Sequence, residues 1–204
     1  MSHETTTDAS ATIRKTLKDS YGWSSRKVSV RAESFSMGSA IRVEIKDPSV
    51  NFQVVEAVAN GKERVRRDEY SGEILSGGNR YVSVSYSRDA EKALAAPYVA
   101  PLQAAMDKLE PGSNTLEPIA GTHVLVGITG VGGYQLWPDQ AGMNFGAHAE
   151  GGAFYVARYM ADAAPAPKPG DFKKKAKKAS AKRKPVTITP AARVAQTLTI
   201  NFGS

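Results

Sequence analysis

Between Ala163 and Pro185 the chain offers a folded core almost nothing to bury. Phe172 is the one large apolar residue among alanines, prolines and lysines. Such a segment cannot offset the entropy of ordering its backbone, about 1–2 kcal/mol per residue. It is expected to stay disordered, so a fold has to come from the residues before it. This segment and the residues just after it concentrate the positive charge. Ten of the 27 lysines and arginines lie between Lys168 and Arg193, facing one acid, Asp171. Subtracting them leaves 17 bases against 19 acids. The pI near 9.5 therefore describes a basic tail on a near-neutral body. That organisation points to binding, with the body not built as an electrostatic glove.

The body, roughly 160 residues, can hold a sizeable core. A hydrophobic fraction of 41% and a charged fraction of 23% are ordinary for a globular chain. The absence of cysteine excludes disulfides and thiolate metal sites and suits a reducing compartment. Met1 to Ser10 is polar and Thr-rich, without the apolar stretch of a signal peptide. No apolar run nears the ~18 residues of a membrane span. The expectation is a cytoplasmic protein that stays off the membrane.

Thr7-Asp8-Ala9-Ser10 opens a helix, with Asp8 or Ser10 as cap and Gly22 as stop. Ile13, Leu17 and Tyr21 give it one apolar stripe. Residues 27–33 and 40–46 alternate as strands around a turn at Ser36-Met37-Gly38-Ser39, forming a hairpin. Asp47-Pro48 is read as the start of a second helix, with Val50, Val54, Val55 and Val58 on its apolar face and Gly61 at its close. Tyr81 to Tyr86 is the clearest strand, alternating and rich in β-branched and aromatic residues. Ser87-Arg88-Asp89 caps a helix over 90–96. Pro97 and Pro101 are expected to break it from a second piece over 102–109.

Pro111-Gly112-Ser113-Asn114 reads as a boundary. Beyond it, 122–129 and 134–137 form a hairpin turned at Gly130-Val131-Gly132-Gly133. Residues 153–161 form a helix packed on that hairpin. Val186 to Ile188 and Leu198 to Phe202 regain alternation, which leaves open a docked strand or a loose end. The fold class expected is α+β. A first domain at 8–110 has the order α-β-β-α-β-α, with a small antiparallel sheet covered by helices on one face. A smaller β-hairpin and helix unit follows at 115–162, and then the tail at 163–204.

Several landmarks of residues 13–88 occur in a distinctive order. They are Tyr21-Gly22-Trp23-Ser24-Ser25-Arg26, Val28-Ser29-Val30-Arg31, Ser36-Met37-Gly38-Ser39, Ile45-Lys46-Asp47-Pro48 and the run from Gly72 to Val82. In these the chain resembles the small α+β family known as large polyvalent protein-associated domain twenty-nine, found in proteins of phages and conjugative elements. The resemblance implies a mobile-element origin and a role accompanying incoming DNA or countering the host. It carries over no catalytic residue and does not reach 115–204.

The strongest candidate site is the tail, where Lys173, Lys174, Lys175, Lys177, Lys178, Lys182, Arg183 and Lys184 make a polycation. Bases that meet phosphates release counterions, giving sequence-independent, salt-dependent binding. Lysine outnumbers arginine, which suits backbone neutralisation better than base reading. The simpler reading is a solubilising tail. Arg14, Lys15, Lys18, Arg26, Lys27 and Arg31 form a second basic set near Trp23, which reads first as a core residue. The loops at 36–39 and 76–80 have small residues that can cradle a phosphate, and are read as turns. Gly130-Val131-Gly132-Gly133 lacks the spacing of a nucleotide loop. His3, His123 and His148 lack metal-ligand spacing. A hydrolase built on Asp139, His148 and Glu150 is the weakest alternative.

The sequence thus leads to a non-catalytic, cofactor-free, nucleic-acid-binding accessory protein of a mobile element, with DNA as partner. The competing expectation is a protein–protein module, a counter-defence inhibitor or a subunit of a host or virion complex. Tyr70, Tyr81, Tyr86, Tyr134, Trp137 and Tyr155 would be its anchors.

Overall fold

A computed structural model gives the structure for residues 4–36, 38–75, 77–129, 133–137 and 143–172. The class is α+β, with four helices and two small sheets among these residues. Helix α1, Thr6–Tyr21, starts one turn earlier than its apolar pattern suggested. Its N-cap is Thr5, whose hydroxyl accepts from the Asp8 N–H while the Asp8 carboxylate accepts from the Thr5 N–H. Asp8 is thus the reciprocal member of a capping box and not the cap. Ile13 and Leu17 are buried as expected, and Gly22 ends the helix in the left-handed region at φ 72°.

Strands β1, Val28–Phe35, and β2, Gly38–Ile45, form the expected hairpin, pairing Val28 with Ile45. Helix α2, Phe52–Asn60, begins several residues after Asp47-Pro48, with Asn51 as its cap. The Asp47 carboxylate instead accepts from the Ser49 N–H in a turn before the helix. Strand β3, Asn79–Tyr86, is where expected but runs parallel to β2, with Gly38 opposite Asn79 and Ile45 opposite Tyr86. The antiparallel expectation is corrected here. The link from β2 to β3 carries α2 and a further excursion, long enough for the crossover that parallel strands require. The sheet order is β1-β2-β3. Helices α1 and α2 cover one face, where Ile41, Val43, Ile45, Val28 and Val55 form the core. The other face shows Arg31, Glu33, Arg42 and Glu44.

Helix α3, Arg88–Met106, is capped by Ser87 and is continuous through Pro97 and Pro101. The expected break is absent. Each proline deletes one helical donor, a cost of about 3 kcal/mol or more in a helix interior. Pro97 leaves the Ala93 carbonyl without its partner, and both residues are exposed, so water can satisfy it. The opposite side buries Ala90, Ala95, Leu102, Ala105 and Met106. That packing holds the helix together.

The second sheet is antiparallel in the order β4-β5-β6-β7: Leu116–Pro118, Leu125–Thr129, Gly133–Trp137 and Asn144–Phe145. The hairpin β5–β6 matches expectation, although β5 starts later. Strands β4 and β7 were not foreseen. Helix α4, Ala149–Ala163, packs mainly along α3 and also meets β7, where the sequence suggested the hairpin alone. Gly152 allows this approach, because a Cβ there would lie 2.7–2.8 Å from Phe145 and Leu102. The second core takes α3 from Ala95 onward, together with Ile119, Val124, Val126, Leu136 and Val156. Packing therefore divides helix α3 itself, ahead of the turn at 111–114. The Phe154 ring bridges both cores, meeting Tyr86 edge-on at 5.9 Å.

Residues 164–172 do not all stay loose, as the disorder expected from 163 would have it. The Gly170 N–H donates to the Ser20 carbonyl at 2.6 Å. The Phe172 ring lies against Gly22, close enough that a Cβ there would be 2.7 Å from it. The one large apolar side chain of the segment is what docks it.

Candidate nucleic-acid interface

The fold ends its described course at Phe172, and the sequence continues directly into Lys173. The expected tail site, Lys173, Lys174, Lys175, Lys177, Lys178, Lys182, Arg183 and Lys184, lies outside the described residues, as does 186–204. The root of that segment is described. It sits at the C-terminal end of α1, held by Gly170 and Phe172. Lys18 occupies the last turn of the same helix. Asp171 turns back to accept from the Lys168 N–H at 3.2 Å.

The second basic set does not form one face. Lys15, Lys18 and Arg26 are exposed. Arg14 is engaged in the fold: Nε donates to the Val30 carbonyl on the outer edge of β1, and its guanidinium also reaches Ser10. Lys27 pairs with Asp47 at 2.7 Å. That ammonium, with the Ser49 donors, lowers the Asp47 pKa from its ordinary 3.8 to about 2. Arg31 points from the open face of the sheet, opposite Arg42, which pairs with Glu33 at 2.8 Å. Of this set, Lys15, Lys18 and Arg26 are exposed to solvent, and Lys18 stands in the last turn of α1, the end where Phe172 docks. Trp23 stacks on Tyr21 at 5.0 Å and packs against the first core, as the core reading had it.

The aromatic anchors also separate. Tyr86 is buried, its hydroxyl donating to the Val50 carbonyl at 3.3 Å. Tyr70 is 99% exposed at the tip of a small hairpin whose arms pair at Arg67 and Ile74. The Asp68 carboxylate shapes that tip by accepting from the Tyr70 and Ser71 N–H groups, which lowers its pKa. Ile74 and Leu75 beside it are also exposed. His148 precedes α4 without capping it, and Glu150 lies in the first turn. Asp139 lies outside the described residues. No cluster of three metal-ligating side chains occurs among the described residues.

Sequence reading weighed the loop 76–80, which ends at Arg80, as a phosphate cradle and preferred a turn, and it passed over Arg64 and Arg66 as site residues. The signal for Arg64 and Arg66 was their i, i+2 spacing, the spacing at which extended backbone repeats a face. Their segment bridges β3, the Arg64 and Arg80 backbones exchanging hydrogen bonds of 2.8 and 2.9 Å. None of the described helices is long and apolar enough to cross a membrane. Compared with protein-family models, curated proteins and solved structures, the chain matches none.

Proposed function

We propose that this chain is a non-catalytic, cytoplasmic accessory protein of a phage or plasmid-like mobile element that binds DNA without sequence preference. The observation that carries the reading is the anchoring of Phe172 on Gly22. Phe172 is followed directly in the sequence by an eight-base run, Lys173 to Lys184, and the exposed Lys18 occupies the last turn of the helix that Gly22 closes. A polycation rooted on a folded body gives phosphate affinity through counterion release, and the body gives position. The test compares the full chain with a variant carrying Lys→Gln at Lys173, Lys174, Lys175, Lys177 and Lys178. Binding to labelled DNA duplex and single strand should fall steeply in the variant. Equal binding by both proteins would remove the reading.

A second reading has its own observation. Tyr70, presented at a hairpin tip with Ile74 and Leu75, is the kind of exposed apolar group that anchors a protein partner. Under that reading the chain is a counter-defence inhibitor or a subunit of a host or virion complex. Its biological activity would survive the Lys→Gln changes and be lost with Tyr70→Ser.

A further inference from the structure

The N-terminal end of α1 borders a cavity of about 520 Å³, within the size range of small-molecule sites. The tail is rooted at the other end of this 16-residue helix, about 24 Å away at 1.5 Å per residue. The parallel pairing of β2 and β3 creates the cavity by setting Gly38 opposite Asn79. A Cβ at Gly38 would lie 2.7 Å from the Asn79 carbonyl oxygen, so glycine is what lets these strand starts meet.

Three arginines line the cavity, Arg64, Arg66 and Arg80, against one carboxylate, Glu4. Arg64 and Arg66 are exposed and both line the cavity. Arg80 is 7% exposed. Its terminal nitrogens donate to the Glu4 carboxylate at 3.1 Å, to the Glu4 carbonyl at 2.6 Å and to the Lys62 carbonyl at 3.4 Å. Its Nε is buried without a partner among the described residues. Native folds keep few such donors, and each calls for a reason. Gly77 and Gly78 sit at φ 85° and 72°, with no atom within 4 Å of the place a Cβ would take. Their backbone is bare on the side where side chains would stand. Phe35, 48% exposed, also lines the cavity and stacks on Tyr81 with centroids 6.3 Å apart.

Guanidinium forks and unshielded backbone are phosphate-binding chemistry, and an exposed ring is a platform for a flat base. We propose that this cavity binds a nucleotide unit, its phosphoryl group at Arg64, Arg66 and the Gly77–Gly78 backbone and its base on Phe35. The cavity lies at the opposite end of α1 from the seat of Gly170 and Phe172. A free mononucleotide and the phosphorylated end of a single strand present the same chemistry.

The test is an amide NMR titration of the ¹⁵N-labelled full chain at about 0.15 M salt, where exposed charges are screened beyond about 8 Å. The probes are inorganic phosphate, adenosine monophosphate, and a dinucleotide with and without its 5′-phosphate. Saturable shifts are expected at Gly77, Gly78 and Arg66 with the phosphorylated nucleosides. Arg64→Gln with Arg66→Gln, or Arg66→Gln alone, should weaken them by roughly tenfold or more, the loss of a charged hydrogen bond. Phe35→Ala should weaken the mononucleotide and leave inorganic phosphate unchanged. Monophosphate binding as tight as the phosphorylated dinucleotide assigns the free nucleotide; tighter dinucleotide binding assigns the strand end. The proposal is overturned if the dinucleotide binds equally without its phosphate, if the arginine variants bind like the parent, or if no saturable shift occurs at Gly77, Gly78 and Arg66. The tail Lys→Gln variant should keep these shifts, so failure of tail binding and failure of this site are distinct results.

Discussion

Gly22→Ala should cost more than a left-handed helix end explains, and the excess should vanish when Phe172 is removed. Alanine at φ 72° carries a strain of about 1–2 kcal/mol. The added Cβ would also stand 2.7 Å from the Phe172 ring and displace it. Full burial of a phenylalanine is worth about 1.5–3 kcal/mol, so the half-buried Phe172 contributes about 1 kcal/mol. Gly22→Ala should then destabilise by about 2–3 kcal/mol and Phe172→Ala by about 1 kcal/mol. The double variant should cost about 2–3 kcal/mol, not the sum, giving a coupling of about 1 kcal/mol. Urea unfolding followed by far-UV circular dichroism reads all four proteins, with the slope unchanged across the set. Strictly additive costs would refute the docking, and with it the anchored root of the tail.

Gly152→Ala gains helix propensity of about 1 kcal/mol but drives a methyl into Phe145 and the fully buried Leu102. Overpacking of about 1–3 kcal/mol should win, lowering the thermal midpoint, whereas Gly151→Ala, which meets open space, should raise it. Asp47 is held below its ordinary pKa, so its pairing with Lys27 stabilises the fold above 3.8 and is lost as pH falls toward about 2. Both partners are partly exposed, which limits the pair to about 1 kcal/mol. Asp47→Asn should therefore lower stability at neutral pH and bring it near the parent at pH 2, as read by urea midpoints.

What was legible in the sequence was local. Alternation placed β1, β2 and β3, the apolar stripe placed α1, and Ser87 marked the start of α3. The direction of β3 was not legible, because period-2 burial is the same whichever way a strand runs. That omission hid the arginine-lined cavity. The loops at 36–39 and 76–80, forty residues apart, each read as a turn, and only the parallel register brings Gly38 and Asn79 together. The prolines of α3 misled for a related reason. Propensity sees a broken donor pattern, while the buried side of Ala95, Leu102 and Met106 decides whether the helix continues. Phe172 carried a usable signal, a lone aromatic in an apolar-poor segment, but nothing local indicated Gly22 as its seat.

A basic tail that carries the affinity for nucleic acid from its root at Phe172 has one signature in solution, a salt dependence that leaves with it. The most direct measurement is the salt dependence of DNA binding by the full chain and by residues 1–172. Should six to nine of the bases beyond Phe172 meet phosphates, the log–log slope is about −5 to −8 for the full chain and close to zero after truncation. A full chain that does not bind at physiological salt, or a truncated chain with the same slope, would mean that the tail is not the nucleic-acid tether.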